Sequence, residues 1–188
     1  MAEVVLFHHV HGLTPGCVAF ADELRAAGHV VHTPDLYEGK TFETLDEGMA
    51  FAGDVGFETL IERGRAAAES LPDELVYGGF SLGALPAQML AQARAGARGA
   101  LLFHAAIPPS EFGGPWPEGL PLQIHTMEDD ELGDVEIARE LAETIDGAEL
   151  YLYPGDRHLF VDSGLPDYDE NAATLVRQRV LNFLSALP

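Results

Sequence analysis

The stretch ELVYGGFSLGALPAQMLAQ, residues 74–92, changes its pattern at Ser81. The apolar residues before the serine predict a buried strand over 74–80, and those after it are typical of a helix over 82–95. Glycines flank the serine two residues away on each side, so the five residues match Gly-x-Ser-x-Gly. This pattern is typical of a strained turn that lifts a nucleophilic hydroxyl above a sheet, although a serine N-cap between packing glycines is the alternative.

Along the whole chain, apolar runs alternate with helical patterns, as in a parallel sheet that helices cover on both faces. The predicted strands are 3–9, 29–34, 74–80, 99–105, 120–126 and 148–154. The predicted helices are 14–28, 57–71, 82–95, 134–145 and 168–187, with an additional short helix and loops within 36–56. We therefore predict a three-layer α/β fold whose doubly wound, mostly parallel sheet has about six strands.

Length and composition favour one globular unit. The chain has 188 residues, of which 47% are hydrophobic, and neither a repeat nor a low-complexity linker divides it, so we predict a single domain over residues 1–188. The first residues lack the basic segment of a signal peptide, and no apolar run approaches the length of a membrane span. Cys17 is the only cysteine, which excludes an internal disulfide and fits a reducing, cytoplasmic location.

The charge of the chain limits its partners. It carries 31 acidic and 10 basic residues, for a net charge of −21 at pH 7. A field of this sign repels nucleic acid and anionic membrane surfaces, so we expect neither as a partner and predict a small-molecule substrate instead. The sequence is compatible with a homodimer and does not determine the oligomeric state.

Histidines concentrate at one predicted edge of the sheet. Seven of the eight lie at or just beyond the carboxyl ends of predicted strands: His8, His9, His11, His32, His104, His125 and His158. In an open parallel sheet the ligand binds at that edge. We therefore take His9, His11 and His104 as candidates for orienting a substrate, with buried structural roles as the alternative.

A serine hydroxyl needs a neighbouring base to become a nucleophile. In folds with the Gly-x-Ser-x-Gly turn, the chain order is serine, then acid, then histidine. His158 lies in YPGDRHLF, on a loop after the last predicted strand, where it could reach back over the sheet. It is the predicted base.

The acid should come from the stretch HTMEDDELGD, residues 125–134, after the preceding strand. Glu128 follows the strand too closely, and Asp134 has the position of an N-cap for the next helix. Asp129 and Asp130 remain, and only one of two adjacent side chains can face the histidine.

Acyl transfer also needs two N–H donors for the oxyanion that develops on the substrate. The residue after the nucleophile, Leu82, supplies one, and the loop after the first strand supplies the other, most plausibly at Val10. The reaction needs no cofactor.

Taken together, the first strand, the HGLTPG loop, the GFSLG turn, the YPGDRHLF loop and the terminal helix resemble the dienelactone hydrolase family of the α/β-hydrolase fold. The resemblance implies a triad of Ser81, Asp130 and His158, and oxyanion donors at Val10 and Leu82. It favours Asp130 over Asp129 as the acid, and it implies hydrolysis of a carboxylic ester or lactone.

The chain departs from the family pattern at several points. Serine replaces the usual cysteine nucleophile, His9 replaces an acidic residue that follows the first strand, and Leu159 replaces a glycine after the catalytic histidine. The chain starts directly at the strand that leads to the oxyanion loop, so we expect the usual N-terminal hairpin to be missing.

Two other functions remain as alternatives. The histidines of HHVH, with His104 and His125, could bind a metal, which would make the protein a metal-binding protein or a metal-dependent hydrolase, although no spaced ligand motif supports them. The second alternative is a binding protein that has the same fold but no catalytic activity.

Overall fold

The computed structural model describes residues 1–187, which form one six-stranded sheet whose paired strands all run parallel. The strands are β1 (Glu3–Phe7), β2 (Val30–His32), β3 (Val76–Phe80), β4 (Gly99–Phe103), β5 (Leu122–Met127) and β6 (Glu149–Tyr153). Their order in the sheet is β2-β1-β3-β4-β5-β6. The predicted α/β fold is confirmed.

Six α-helices connect the strands. They are α1 (Pro15–Ala26), α2 (Leu45–Val55), α3 (Phe57–Glu69), α4 (Ala84–Ala93), α5 (Val135–Thr144) and α6 (Glu170–Ala186), and short 3₁₀ turns occupy Ser81–Gly83 and Pro109–Phe112. The predicted short helix within 36–56 is α2. Within residues 1–187, none of these helices has both the length and the hydropathy needed to cross a bilayer.

The helices form two layers because the strands are apolar on both faces. Along β1, Val4 and Leu6 pack on the same side as α1 and α6, whereas Val5 and Phe7 pack on the side of α2 to α5. All four side chains are buried. This alternation follows from the two-residue period of a strand, and it makes the sheet the centre of a three-layer fold.

Two helices that lead into or away from the site edge begin with different cap geometry. Thr14 caps α1, since its hydroxyl accepts a hydrogen bond from the Cys17 N–H at 3.1 Å, and Pro15 begins the helix. Asp134 precedes α5 as predicted, but its side chain makes no capping bond and its φ is +50°. Asp134 thus occupies the predicted N-cap position of α5, where its carbonyl accepts from the Ala138 N–H at 2.9 Å, but its carboxylate does not cap the helix.

The order of the strands places two loops side by side. After β1 the chain adds β2 on one side and then crosses to form β3 on the other side of β1. The loops after β1 and β3 therefore start from adjacent strands and then run to opposite sides of the sheet. The crevice between two such loops is the usual position of a ligand site in open parallel sheets.

A ladder of stacked rings crosses the sheet on the side of α6. Phe80, Phe103, His125 and Tyr151 occupy paired positions on β3 to β6. The centroids of consecutive rings lie 4.8 Å apart for Phe80 and Phe103, 5.4 Å for Phe103 and His125, and 5.4 Å for His125 and Tyr151. The Arg179 guanidinium lies 4.2 Å from the Tyr151 centroid. Such cross-strand aromatic pairs stabilise a sheet beyond their burial.

His125 is therefore part of the sheet rather than of a site at its edge. One ring nitrogen lies 2.9 Å from the Tyr153 hydroxyl and the other lies 2.9 Å from the Gln123 side-chain oxygen. Burial lowers the pKa of His125 to about 3, so the imidazole is neutral at neutral pH.

His8 is a second buried structural histidine. Its Nδ1–H donates to the His9 carbonyl at 2.7 Å, and its Nε2 accepts from the Leu36 N–H at 2.9 Å. Burial lowers the pKa of His8 to about 4, although its hydrogen bond to the His9 carbonyl acts in the opposite direction. The neutral ring joins the loop after β1 to the loop after β2.

These two histidines predict sensitivity to acid. Their pKa values are lower in the folded state than the 6.5 of a free imidazole, so the stability that the neutral rings contribute is complete above pH 6.5 and is lost below it. We expect them together to lower the free energy of unfolding by about 3 kcal/mol between pH 6.5 and pH 5. Urea titrations followed by the fluorescence of the single tryptophan, Trp116, would measure this.

The control is His125→Gln, whose amide can still bond to Tyr153 and Gln123. It should remove about half of the pH dependence. An equal free energy of unfolding at the two pH values would contradict the prediction.

Candidate active site

Ser81 lies at the junction of β3 and its following 3₁₀ turn with a φ of +48°. Few residues other than glycine adopt this left-handed conformation, which costs on the order of 1–3 kcal/mol and persists only where the surroundings impose it. The strain turns the backbone sharply, so that Ser81 lies among the residues that line a pocket at the carboxyl edge of the sheet.

The flanking glycines are required by contacts with neighbouring backbone. A Cβ atom on Gly79 would lie 2.0 Å from the Gly83 carbonyl oxygen, and one on Gly83 would lie 2.4 Å from the Phe7 carbonyl oxygen. Both distances are far below van der Waals contact. The pattern Gly-x-Ser-x-Gly is therefore a packing requirement of this turn against itself and against the end of β1.

A chain of hydrogen bonds links three predicted site residues. Ser81 Oγ lies 2.8 Å from His158 Nε2, and His158 Nδ1 lies 2.8 Å from Asp130 Oδ2. His158 and Asp130 are both buried. Because a carboxylate only accepts, Nδ1 carries the proton and donates to Asp130, which leaves Nε2 to accept the serine hydroxyl.

The loops that carry the acid and the histidine extend the pairing of β5 with β6. The Glu128 N–H donates to the Tyr153 carbonyl at 2.8 Å, and the Asp129 N–H donates to the Gly155 carbonyl at 3.0 Å. Glu128 and Asp129 are exposed, whereas Asp130 turns inward and accepts from the Leu132 N–H at 3.0 Å. Of the two aspartates that sequence reasoning left open, Asp130 contacts His158.

The two predicted oxyanion donors belong to the same pocket. Val10 and Leu82 line it together with Ser81. Within residues 1–187, the Val10 N–H has no hydrogen-bond acceptor, so it is available to a ligand.

Helix α2 supports the loop that carries Val10. A Cβ atom on Gly48 would lie 2.3 Å from the Val10 carbonyl oxygen and 3.3 Å from the His11 nitrogen. The loop is also held by the Phe42 N–H, which donates to the His11 carbonyl at 2.9 Å. The position of the Val10 peptide thus depends on the segment between β2 and α3.

The pocket beside Ser81 has a volume of about 190 Å³ and is mainly apolar. Its apolar side chains, apart from those of Val10 and Leu82, are Met49, Phe57, Leu85, Ala105, Ile107 and Leu132. Asp134 is the only charged residue among the lining residues in the described part of the chain. An open, largely apolar pocket with a hydrogen-bonded serine is an arrangement suited to a small organic substrate.

Comparison with known proteins shows the family of the chain. The sequence profile of the dienelactone hydrolase family matches residues 1–187. The chain belongs to the dienelactone hydrolase family. No curated protein is similar enough to count as a relative.

Solved structures with the same fold include other members of this family. A dienelactone hydrolase-like promiscuous phosphotriesterase from metagenomic libraries has a TM-score of 0.80 at 20% identity, with 100% of this chain and 87% of that chain covered. A dienelactone hydrolase from Anabaena variabilis has a TM-score of 0.70 at 19% identity, covering 100% and 88%. The mouse alpha/beta hydrolase domain-containing protein 10 has a TM-score of 0.73 at 11% identity, covering 97% and 89%. At these identities the structures support the fold alone.

In this family member, His9 lies in a buried network behind the loop that carries Val10. Its Nε2 lies 2.8 Å from Asp162 Oδ2, and its Nδ1 accepts from the His11 N–H at 3.3 Å. The Thr14 hydroxyl donates to the same Asp162 oxygen at 2.5 Å, and the Gly164 N–H donates to the other at 2.8 Å. His9 therefore positions the backbone on either side of Val10.

The network fixes the charge of its members. Burial lowers the pKa of His9, and Asp162 opposes this shift only in part. Burial by itself would raise the pKa of Asp162, but the hydrogen bonds from His9, Thr14 and Gly164 outweigh it and the net pKa lies below its usual value. A neutral imidazole thus donates to an ionised carboxylate.

The other two histidines predicted to orient a substrate, His11 and His104, also lie outside the lining of the pocket beside Ser81. His11 Nδ1 lies 2.9 Å from the Phe42 carbonyl oxygen. His104 is buried beside His158, with ring centroids 5.9 Å apart, and its Nδ1 has no hydrogen-bond partner within the described residues. In the described structure, His9, His11 and His104 are not among the residues that line the pocket, so this placement gives no support to substrate contacts by them.

The metal-binding alternative has a different set of candidates from those predicted. Ligand atoms of His9, Cys17 and Asp162 lie within 4.8 Å of one another. The His9 and Asp162 atoms already bond to each other, and burial raises the pKa of the Cys17 thiol to about 12, which disfavours the thiolate that a metal requires. The chemistry of these donors fits a structural network better than a metal site.

Sequence reasoning missed several residues that shape the site. Asp162 is a lone acid after the apolar run Leu159–Val161, and Gly48 is a glycine inside a helical pattern; both are signals of a specific contact. Met49, Phe57 and Leu132 carried no comparable signal, because isolated apolar residues are common on helices and loops.

The contact between Gly48 and the oxyanion loop gives a testable prediction. In Gly48→Ala, the new methyl group must displace the Val10 peptide or α2 itself. We expect a loss of about 10²-fold in turnover of a p-nitrophenyl ester, comparable to the loss of one oxyanion donor, and a stability cost of about 1–3 kcal/mol.

Gly53→Ala is the matched control in the same helix. A Cβ atom there has no heavy atom within 4 Å, so this variant should keep its activity and gain about 0.5–1 kcal/mol from helix propensity. Equal turnover numbers for the two variants would show that α2 does not position the loop.

Proposed function

We propose that this protein is a serine hydrolase that cleaves a carboxylic ester or lactone of a small molecule through an acyl-serine intermediate. The observation that carries the proposal is the hydrogen-bonded chain from Ser81 through His158 to Asp130, with the serine on a strained turn at an apolar pocket. Membership of the dienelactone hydrolase family supports the general class of hydrolase.

In the first half of the reaction, Ser81 Oγ attacks the carbonyl carbon while its proton passes to His158 Nε2. The carbonyl oxygen becomes negative and accepts hydrogen bonds from the N–H groups of Val10 and Leu82. Asp130 keeps the imidazole in the required tautomer and stabilises its protonated form. The C–O bond to the alcohol then breaks, and His158 returns the proton to the departing oxygen.

In the second half, water replaces the alcohol. His158 takes a proton from the water as its oxygen attacks the acyl carbon, and the same two N–H groups hold the second oxyanion. When the bond to Ser81 breaks, the proton returns from His158 to Oγ and the carboxylic acid leaves. The protonation of every residue is restored, and water is the one reactant besides the substrate and the groups of this chain.

Inhibitors distinguish this mechanism from a metal-dependent one. A serine-directed phosphonate should modify Ser81 covalently and abolish ester hydrolysis, with a mass increase on the peptide that contains Ser81. A chelator should leave the activity unchanged. The reverse pattern would favour the metal-dependent alternative.

Substitution of the nucleophile separates its chemistry from its packing. Ser81→Ala should lower turnover by about 10⁴–10⁶-fold with little change in stability, because the hydroxyl contributes little packing. Ser81→Gly should be equally inactive but about 1 kcal/mol more stable than Ser81→Ala, since glycine adopts a φ of +48° without strain. Ester turnover assays and thermal melts would measure both effects, and wild-type activity in either variant would refute the proposal.

Neighbouring aspartates provide a matched test of the acid. Asp130→Asn should lose about 10⁴-fold in turnover, because the amide favours the wrong imidazole tautomer. The adjacent Asp129 is exposed, so Asp129→Asn should stay within about tenfold of the wild type. If Asp129→Asn were the inactive variant, or if both were active, the assignment of Asp130 would be wrong.

A further inference from the structure

Exposed apolar side chains concentrate at the mouth of the pocket beside Ser81. Met49 is 46% exposed, Phe57 is 43% exposed and Leu132 is 54% exposed, and all three line this pocket. The other exposed large apolar side chains in residues 1–187 are Met1, Val30 and Leu175. Half of the set therefore surrounds one opening.

Such a concentration indicates a binding surface. An exposed leucine or phenylalanine forgoes stabilisation that burial would give, and clustered exposed apolar residues mark sites where an apolar group binds. The three side chains come from α2, α3 and the loop after β5, so they converge from separate parts of the chain on one opening.

The charges around the opening also favour an uncharged ligand. The described lining residues include no lysine, arginine or histidine, and Asp134 adds a negative charge. Its backbone has a φ of +50°, and its side chain is not used to cap α5. Burial raises the pKa of Asp134, whereas the Ala106 backbone and His158 act in the opposite direction. The net charge of −21 extends the negative field over the whole surface.

From the apolar rim, the absence of a cation among the described lining residues and the carboxylate of Asp134, we infer that the site takes esters whose acyl chain is uncharged and apolar, and that it discriminates against acyl chains that end in a carboxylate. This inference rests on the proposed function. The cavity of about 190 Å³ is large enough for a short acyl chain.

A matched pair of substrates tests the inference. The p-nitrophenyl hexanoate ester and the mono-p-nitrophenyl ester of adipic acid differ only in that a carboxylate replaces the terminal methyl group. We expect kcat/KM for the hexanoate to exceed that for the adipate by at least about 100-fold, since the carboxylate would lose hydration in an apolar pocket and face a like charge.

Two variants with controls assign the discrimination to residues. Asp134→Asn should reduce the hexanoate-to-adipate ratio by about fivefold to tenfold, whereas Asp129→Asn, in the same loop but outside the lining, should leave the ratio unchanged. Leu132→Ser should lower the ratio of hexanoate to acetate kcat/KM by about tenfold. Leu175→Ser removes a leucine of similar exposure, 43%, in α6 of the other helical layer, and should leave that ratio unchanged.

The outcomes separate this inference from the proposed function. Absence of Ser81-dependent cleavage of any of these esters would overturn the proposed function. Ser81-dependent cleavage with the adipate as good a substrate as the hexanoate would overturn the inference alone. Equal effects of Leu132→Ser on acetate and hexanoate would also overturn it, because the apolar rim would then not contact the acyl chain.

Discussion

The backbone of the turn after β3 lies directly against the backbone at the end of β1, and this contact exists only because position 83 is glycine. It does two things at once. It presses the turn into the left-handed conformation of Ser81, and it brings the loop that carries Val10 to the same pocket. Ser81 and the Val10 peptide therefore share one support, so an error in the packing of either strand would misplace both. Gly48 supports the loop from the other side.

Two buried pairs of histidine and aspartate lie close to this contact, and their surroundings give them different roles. In the first pair, His158 Nδ1 bonds to Asp130 and its Nε2 faces the Ser81 hydroxyl. That second nitrogen is placed to exchange a proton with a reacting group. In the other pair, Asp162 also accepts hydrogen bonds from Thr14 and Gly164, and both nitrogens of His9 are engaged within the protein. Such a network holds the backbone in place and leaves neither His9 nitrogen free for a substrate. Where the family pattern has an acid, this chain thus has a neutral ring in a structural pair.

The distribution of charge gives the protein an acidic exterior around an interior of neutral imidazoles. The surface repels anions at a distance, and the lining of the pocket adds one more carboxylate instead of the cation that an anionic substrate would need. Inside, His8 and His125 act as hydrogen-bonding and stacking groups, and they can do so only while they are uncharged. Protonation of these rings would place charges in the core, and the Asp35 carboxylate 3.7 Å from His8 Nε2 offsets burial only in part. The interior that supports the site at neutral pH therefore becomes unfavourable in acid.

The sequence by itself determined the fold class, because apolar runs of strand length alternate with helical patterns, and all six predicted strands are present within a few residues of their predicted bounds. It also made Ser81 and His158 candidates for one site, since the serine turn has a local glycine pattern and the histidine follows the last strand, and their side chains lie 2.8 Å apart. Only the tertiary structure decided that Asp130 rather than Asp129 faces the histidine, because adjacent side chains diverge and the pairing of loops after β5 and β6 selects one of them. It also assigned His9 to Asp162, a contact between residues 153 positions apart. Local patterns specify turns and periodicity, whereas the partner of a buried polar group depends on packing between distant segments, which no local pattern records.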